Sequence, residues 1–330
     1  MANPALIYEY EGPTHRRNGS KPPAPLILLH DGGGTTFSYH CLYPIGRTLY
    51  GIQNARLDEG GYWEGGIPGM ARHYIKLIES ILPQGGEILL GGWSLGGLLS
   101  LEMAAQLAAR PVTSTRPRFT VLGMIFIDSI YPKKLELVRD MPLASMKPVV
   151  IMPEELRNMK LRDKVDLNMT HARLMVARWD MPDWTGREDQ IPPTVLMRAK
   201  EFVSTRSQDE NNDHGFGRNN GNNGDKNNGK NGNEGIREGK DAAANVNLNV
   251  GANTDANENE NSGEKPLSLV DYAREFRMLG WDQYGNTGGK FIQKIVDIEG
   301  HHFSVFHDKH IRDITRKIAA AADWLDQPEY

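Results

Sequence analysis

The chain has 330 residues, 39% of them apolar and 24% charged, with a net charge of −4. That length holds one large α/β domain or two modest ones with ample core, and the mildly acidic balance favours neither nucleic acid nor an anionic membrane as partner. A lone cysteine, Cys41, excludes an intramolecular disulfide, and no 18-residue apolar run or basic leader marks a membrane span or export signal, so a cytoplasmic protein is expected.

Leu6 to Tyr10 reads as a first edge strand. Leu26 to Leu29 is a short continuous apolar run, the pattern of a buried parallel strand, and it ends on His30-Asp31-Gly32-Gly33-Gly34. A second apolar-to-turn transition follows near Tyr50–Ala55, and Ile67 to Leu82 carries the apolar spacing of a helix. Glu87 to Leu107 then passes from an apolar run through glycines into a long segment without proline, which predicts strand, tight turn and helix.

At that turn lies Gly92-Trp93-Ser94-Leu95-Gly96, a G-x-S-x-G. A serine on a sharp strand-to-helix turn is held in strained backbone geometry, so the residues two away on either side must lack bulk. The strain lifts the Ser94 hydroxyl above the sheet, and the helix behind it aims N–H groups at incoming negative charge. Five residues of this pattern are common in ordinary turns. The strand before it and the helix after it make Ser94 a candidate nucleophile.

Val121 to Asp128 is another buried-strand pattern, ending in a carboxylate. Residues 132–190 are charged and rich in Met and Pro, with a helical patch at Val165–Trp179, and suggest a helical cap inserted between two strands. Val195 to Met197 is the core of the next strand. From 208 to 265 the composition collapses to Asn, Gly, Asp, Glu and Lys, too apolar-poor to offset its ordering entropy, and a disordered insertion is expected. Residues 268–285 read as a helix running into a turn, Phe291 to Ile298 as a final strand ending at His301-His302, and Ile311 to Leu325 as an amphipathic helix. Strands alternating with helices predict an α/β fold with a mostly parallel central sheet and helices on both faces.

In such a sheet, chemistry gathers beyond the carboxyl ends of the strands. Those ends carry His30 to Gly34, Ser94, Asp128 and the His301–His302 pair, and the chain order Ser, acid, His is that of the α/β hydrolases. Ser94 needs a base to take its proton, and a buried carboxylate to fix the base's tautomer. The oxyanion needs two donors: the Leu95 N–H, and one from the glycine turn at Gly32 or Gly33. Asp128 competes with Glu201 and Asp209 for the acid, and at most one of His301 and His302 is the base. Trp93 and His30 are candidates for the substrate pocket, although His30 also reads as a structural residue. No cofactor or metal is expected, His214 having no companion ligand.

GWSLGG before LEMAAQL, then IFIDSIYP, then GHHFSVF, resembles the thioesterase domains that release products from polyketide synthases and nonribosomal peptide synthetases, fungal and freestanding members included. The resemblance covers nearly all of the chain outside the Asn/Gly segment. G-x-S-x-G is shared by all α/β hydrolases, whereas I-D-S-x-x-P and G-x-H-F are more specific to thioesterases. It implies Asp128 rather than Glu201 as the acid and His302 rather than His301 as the base. It also implies that 132–190 is a lid forming an acyl pocket and a path for a phosphopantetheine arm. Departures are Leu95, where many relatives have Ala, the HDGGG turn, which is similar to the HGGG loop of lipases and esterases, and the 208–265 insertion.

The reading is therefore one α/β-hydrolase domain over 1–330. The expected activity is that of a freestanding serine thioesterase or acyl hydrolase of fungal secondary metabolism, releasing or editing a polyketide or peptide acyl chain through an acyl-Ser94 intermediate. Its partner would be an acyl carrier protein bearing a phosphopantetheine-bound substrate, or a small acyl thioester or ester. The alternatives are an ester hydrolase, a cyclising or dehydrating enzyme using the same triad, and a non-catalytic ligand-binding protein on a hydrolase fold.

Overall fold

The computed structural model describes residues 2–12, 21–111, 117–132, 146–203, 268–285 and 291–327. The expected insertion at 208–265 and residues 133–145 of the expected lid lie outside the described residues.

The apolar run Leu26–Leu29 forms strand β2, with all four side chains fully buried. Burying each contributes about 1.5–3 kcal/mol, so this short strand is a central element. Edge strand β1 (Ala5–Tyr8), by contrast, has no fully buried residue. The remaining strands are β3 (Leu49–Ile52), β4 (Gly86–Trp93), β5 (Phe119–Ile127), β6 (Thr194–Ala199) and β7 (Ile292–Ile298). Among the described residues they form a seven-stranded sheet in the order β1-β3-β2-β4-β5-β6-β7, antiparallel at β1 and parallel elsewhere. The expected α/β-hydrolase fold is what the chain adopts.

Side chains alternate between two cores, as the strand period of two requires. Ile27, Leu29, Ile88, Leu90, Met124 and Phe126 meet helices α2 (Gly66–Ile81) and α3 (Leu95–Ala108) on one face. Leu26, Leu28, Leu89, Ile125 and Ile127 meet Tyr39 of the short α1 (Phe37–His40) and helix α7 (Asp308–Leu325) on the other. Helix α2 buries Ile67, Met70, Ala71, Tyr74, Ile75 and Ile78, one stripe at helical spacing. Helix α3 buries 12 of its 14 residues, so it is enclosed on all sides rather than surface-lying.

Between β5 and β6 the described part of the cap holds α4 (Pro153–Asn158) and α5 (Leu161–Ala177). Helix α5 lies directly on the glycine turn after β2. A Cβ on Gly32 would stand 2.6 Å from Met169 Sδ, one on Gly33 2.9 Å from Val165 Cγ1, and one on Gly34 2.7 Å from Asn168 Oδ1. The three glycines thus admit the helix. Asn168, 1% exposed, receives Asn54 Nδ2 at 2.8 Å and donates to the Leu57 and Lys164 carbonyls. The cap's return is pinned by Trp179 Nε1 donating to Glu102 Oε2 at 2.8 Å and Trp184 Nε1 to the Tyr284 hydroxyl at 3.0 Å. Of the segment 268–285, Leu269–Arg274 forms a short helix, α6. Among the described residues no helix is long and apolar enough to cross a membrane.

Candidate active site

Ser94 stands between β4 and α3 with φ 55° and ψ −114°, a region that costs a non-glycine residue about 1–3 kcal/mol. The surroundings hold it there. Ser94 N–H donates to the Ile127 carbonyl at 2.9 Å, and the glycines on either side bring three backbone segments together. A Cβ on Gly92 would stand 2.6 Å from the Leu29 oxygen and 2.7 Å from the Gly96 Cα, and one on Gly96 would overlap the Leu29 oxygen. Gly97 is likewise closed, against Ser129 Oγ. The Ser94 side chain makes no capping bond to its own helix, which leaves its oxygen for other use.

Asp128 follows β5, fully buried, also at positive φ (46°), with its N–H donating to the Met197 carbonyl at 2.8 Å. Its Oδ2 accepts from His302 Nδ1 at 2.8 Å. His302 sits in the loop after β7 and is 4% exposed. A carboxylate can only accept, so Nδ1 carries a proton, and in the neutral imidazole this fixes the tautomer whose lone pair is on Nε2. The Trp93 ring lies 5.5 Å from the imidazole, tilted, and the Phe303 ring 4.8 Å away at right angles, so two aromatic rings pack against it. Ser94 follows β4 and Asp128 the neighbouring β5, while His302 comes from the loop after β7, two strands further on, and reaches Asp128 across the end of β6. Of the competing residues, Glu201 exerts its field on His301, whose Nδ1 receives the Phe303 N–H, and Asp209 lies outside the described residues.

Burial opposes ionisation of Asp128, but hydrogen bonds and charge from His302 and Arg274 outweigh it and hold the carboxyl below the usual range. Arg274, on α6, grips Asp128 with both ends of its guanidinium, Nη1 to Oδ1 at 3.1 Å and Nη2 to Oδ2 at 2.8 Å. Sequence reasoning did not single it out. An arginine beyond a low-complexity stretch carries no local sign of burial.

The glycine turn differs in detail from expectation. Gly33 N–H already donates to Asp31 Oδ1 at 3.1 Å, and Gly34 N–H to the Asp31 carbonyl at 3.1 Å. Of the two glycine donors named from the sequence, Gly33 is thus committed, while no hydrogen bond engages the Gly32 N–H among the described residues. Leu95 opens α3, where N–H groups have no partner within the helix. His30 needs correction as a pocket residue. It is 1% exposed in the core, with Nδ1 donating to the Asp31 carbonyl and Nε2 accepting from Tyr74 Oη at 2.8 Å. Burial pushes it down to about 4, so it is a neutral structural residue. The Trp93 ring packs on His302 and Phe306.

Asp31 was also missed, although the HDGGG departure contains it. Burial pushes its carboxyl up to about 6, against the field of His302 and the N–H groups of Gly33, Thr35 and Gly34. A carboxyl raised in the folded state gives stability present below its unfolded value near 3.8 and lost as pH rises through about 6. Asp31→Asn keeps an oxygen for the Gly33 N–H and removes the charge. Its melting temperature should match wild type near pH 4 and exceed it at neutral pH. Partial solvent contact limits the gain to about 2 kcal/mol. A difference that does not vary with pH would remove this account of the residue.

Comparison with known proteins gives a consistent result. The family description "Thioesterase domain" matches residues 24–216. Thioesterase frbE of Dothideomycetidae sp. (strain 11243) is 35% identical over 308 residues, covering 93% of this chain and 92% of its own. A segment of the nonribosomal peptide synthetase imqB of Aspergillus flavus is 43% identical over 131 residues, 40% of this chain and 3% of that protein. Among solved structures, the NocB thioesterase domain from the nocardicin cluster covers 91% of this chain and 94% of its own at 18% identity with a TM-score of 0.50, a likeness of fold.

Proposed function

The chain belongs to the thioesterase family, and from that premise we propose that it works through a Ser94–His302–Asp128 triad on a carrier-bound polyketide or peptide acyl chain. Family and fold make it a hydrolase, and its relatives are fungal thioesterases of secondary-metabolite biosynthesis. The observation that carries the mechanistic reading is the buried Asp128–His302 hydrogen bond at the strand ends beside the strained Ser94 turn.

In this reading His302 Nε2 takes the Ser94 proton as the serine oxygen adds to the thioester carbonyl. The oxyanion is received by the Leu95 N–H and the Gly32 N–H. Collapse expels the thiol, which leaves with the proton from His302 Nε2, and the acyl group stays on Ser94. Water, or a hydroxyl or amine of the chain itself, then resolves the ester by the same proton path. Residues 132–190 serve as the lid, with α5 bounding the acyl side of the turn, and 208–265 is an insertion in the single domain. A nonribosomal peptide synthetase among the relatives supports a phosphopantetheine-borne substrate, and a relative matched along 92% of its own length supports action in trans. The simple-ester alternative drew on HDGGG as a donor loop. Gly33 N–H is held by Asp31, which leaves Gly32 as the donor of that turn for ester and thioester alike.

The test is intact-protein mass spectrometry after incubation with a short acyl-N-acetylcysteamine thioester. A mass gain equal to the acyl group, confined to protein carrying Ser94, is expected. No gain and no thioester consumed would overturn the reading in favour of a ligand-binding protein.

A further inference from the structure

Asp128 has more partners than orienting an imidazole requires. Oδ1 accepts from Ala199 N–H at 2.8 Å and from Arg274 Nη1 at 3.1 Å, while Oδ2 is shared by Arg274 Nη2 and His302 Nδ1, both at 2.8 Å. Arg274 Nη1 also donates to the Ala199 carbonyl. The Arg274 side chain is 3% exposed and that of Asp128 fully buried, so neither charge has water to fall back on. Two parallel N–H···O bonds define the plane of a carboxylate, which one bond does not. That plane decides whether Oδ2 lies in line with His302 Nδ1.

We propose that Arg274 is a positioning residue for His302, fixing the Asp128 carboxylate in the plane of the imidazole and tempering the negative charge that the imidazole faces. The inference rests on the triad reading above. The alternative is a plain structural tie, α6 bonded to the strand ends across 146 residues of sequence. The two differ in what they do to the base. A tie that breaks lowers stability or rate. A lost cation also leaves an unshielded carboxylate against His302, which then holds a proton to higher pH. The other charged groups around His302 are Asp31 from the turn after β2 and His301 in its own loop, while β4 and the start of α7's lead-in present Trp93, Phe303 and Phe306, which carry no charge.

The experiment follows the rate of Ser94 labelling by a fluorophosphonate across the histidine titration range, which needs no knowledge of the natural acyl chain. In Arg274→Gln the midpoint of the acid limb should move up by about one pH unit, with a plateau rate lower by about tenfold. In Arg274→Lys, which keeps the charge without the fork, the midpoint should stay at the wild-type value while the plateau falls. A midpoint that stays put in Arg274→Gln would overturn the proposal and leave a structural tie. If Arg274→Gln does not fold, Arg274→Lys decides, and a wild-type plateau there overturns it. Wild-type protein that resists labelling would remove the triad and this inference together, an outcome distinct from labelled wild type with unmoved variants.

Discussion

Ser94→Ala is expected to lose acyl-enzyme formation altogether and to lower turnover of an acyl thioester by about 10⁴–10⁶-fold, the range seen when a triad nucleophile is removed and oxyanion donors remain. Its folding should be unaffected. Alanine bears the same Cβ as serine and meets the same strain at φ 55°, and the hydroxyl it loses makes no capping bond to α3. The melting temperature should therefore stay within the change of about 0.5 kcal/mol typical of a benign substitution. Turnover within tenfold of wild type, in protein shown by mass to be the variant, would mean that another group does the chemistry. A loss of activity accompanied by a large drop in melting temperature would mean that the hydroxyl supports the turn.

The second large effect is on stability. Gly96→Ala places a methyl group onto the Leu29 carbonyl oxygen and 3.1 Å from that of His30. Both belong to the end of β2, which pairs with β3 on one side and β4 on the other, so the obstructing atoms have nowhere to retreat. Helix α3 must move instead, and it is buried along nearly its whole length. Overpacking against backbone should cost about 3 kcal/mol or more, a fall in melting temperature on the order of 10 °C for a chain of this size. Gly285→Ala is the control. Among the described residues a Cβ there meets nothing within 4 Å, and its melting temperature should match wild type. Equal stability of the two variants would show that the turn tolerates bulk and that its glycines serve something other than close approach.

That contrast also marks what the sequence could tell. Leu26–Leu29 and the G-x-S-x-G between an apolar run and a proline-free segment were legible, because burial on both faces and a strand-to-helix turn each demand local composition. Asp128 at the end of an apolar run and a histidine after the last strand were legible as candidates for the same reason. Choosing His302 over its neighbour needed the G-x-H-F resemblance. Gly32 and Gly33 were read as amide donors, and the side chains that the smallness of Gly32–Gly34 admits belong to α5, more than a hundred residues on. Arg274 and Asp31 went unseen because nothing local distinguishes a buried charge from a surface one. What buries Arg274 is a carboxylate 146 residues earlier in the chain.

The seating of α5 on the glycine turn bears on how acyl selectivity can be altered in this protein. Asn168 bonds across to Asn54 and the Leu57 carbonyl, while Val165 and Met169 fill the space over Gly33 and Gly32. A chimera that imports α5 from a relative would bring foreign side chains onto the glycine turn after β2, and a bulkier residue at 165 or 169 would deform it. Segment exchange is best confined to α4 and its approaches, where Val150 and Met152 are exposed. Residues 165–172 have to travel with the body of the fold, as part of the turn they pack on rather than of an exchangeable cover.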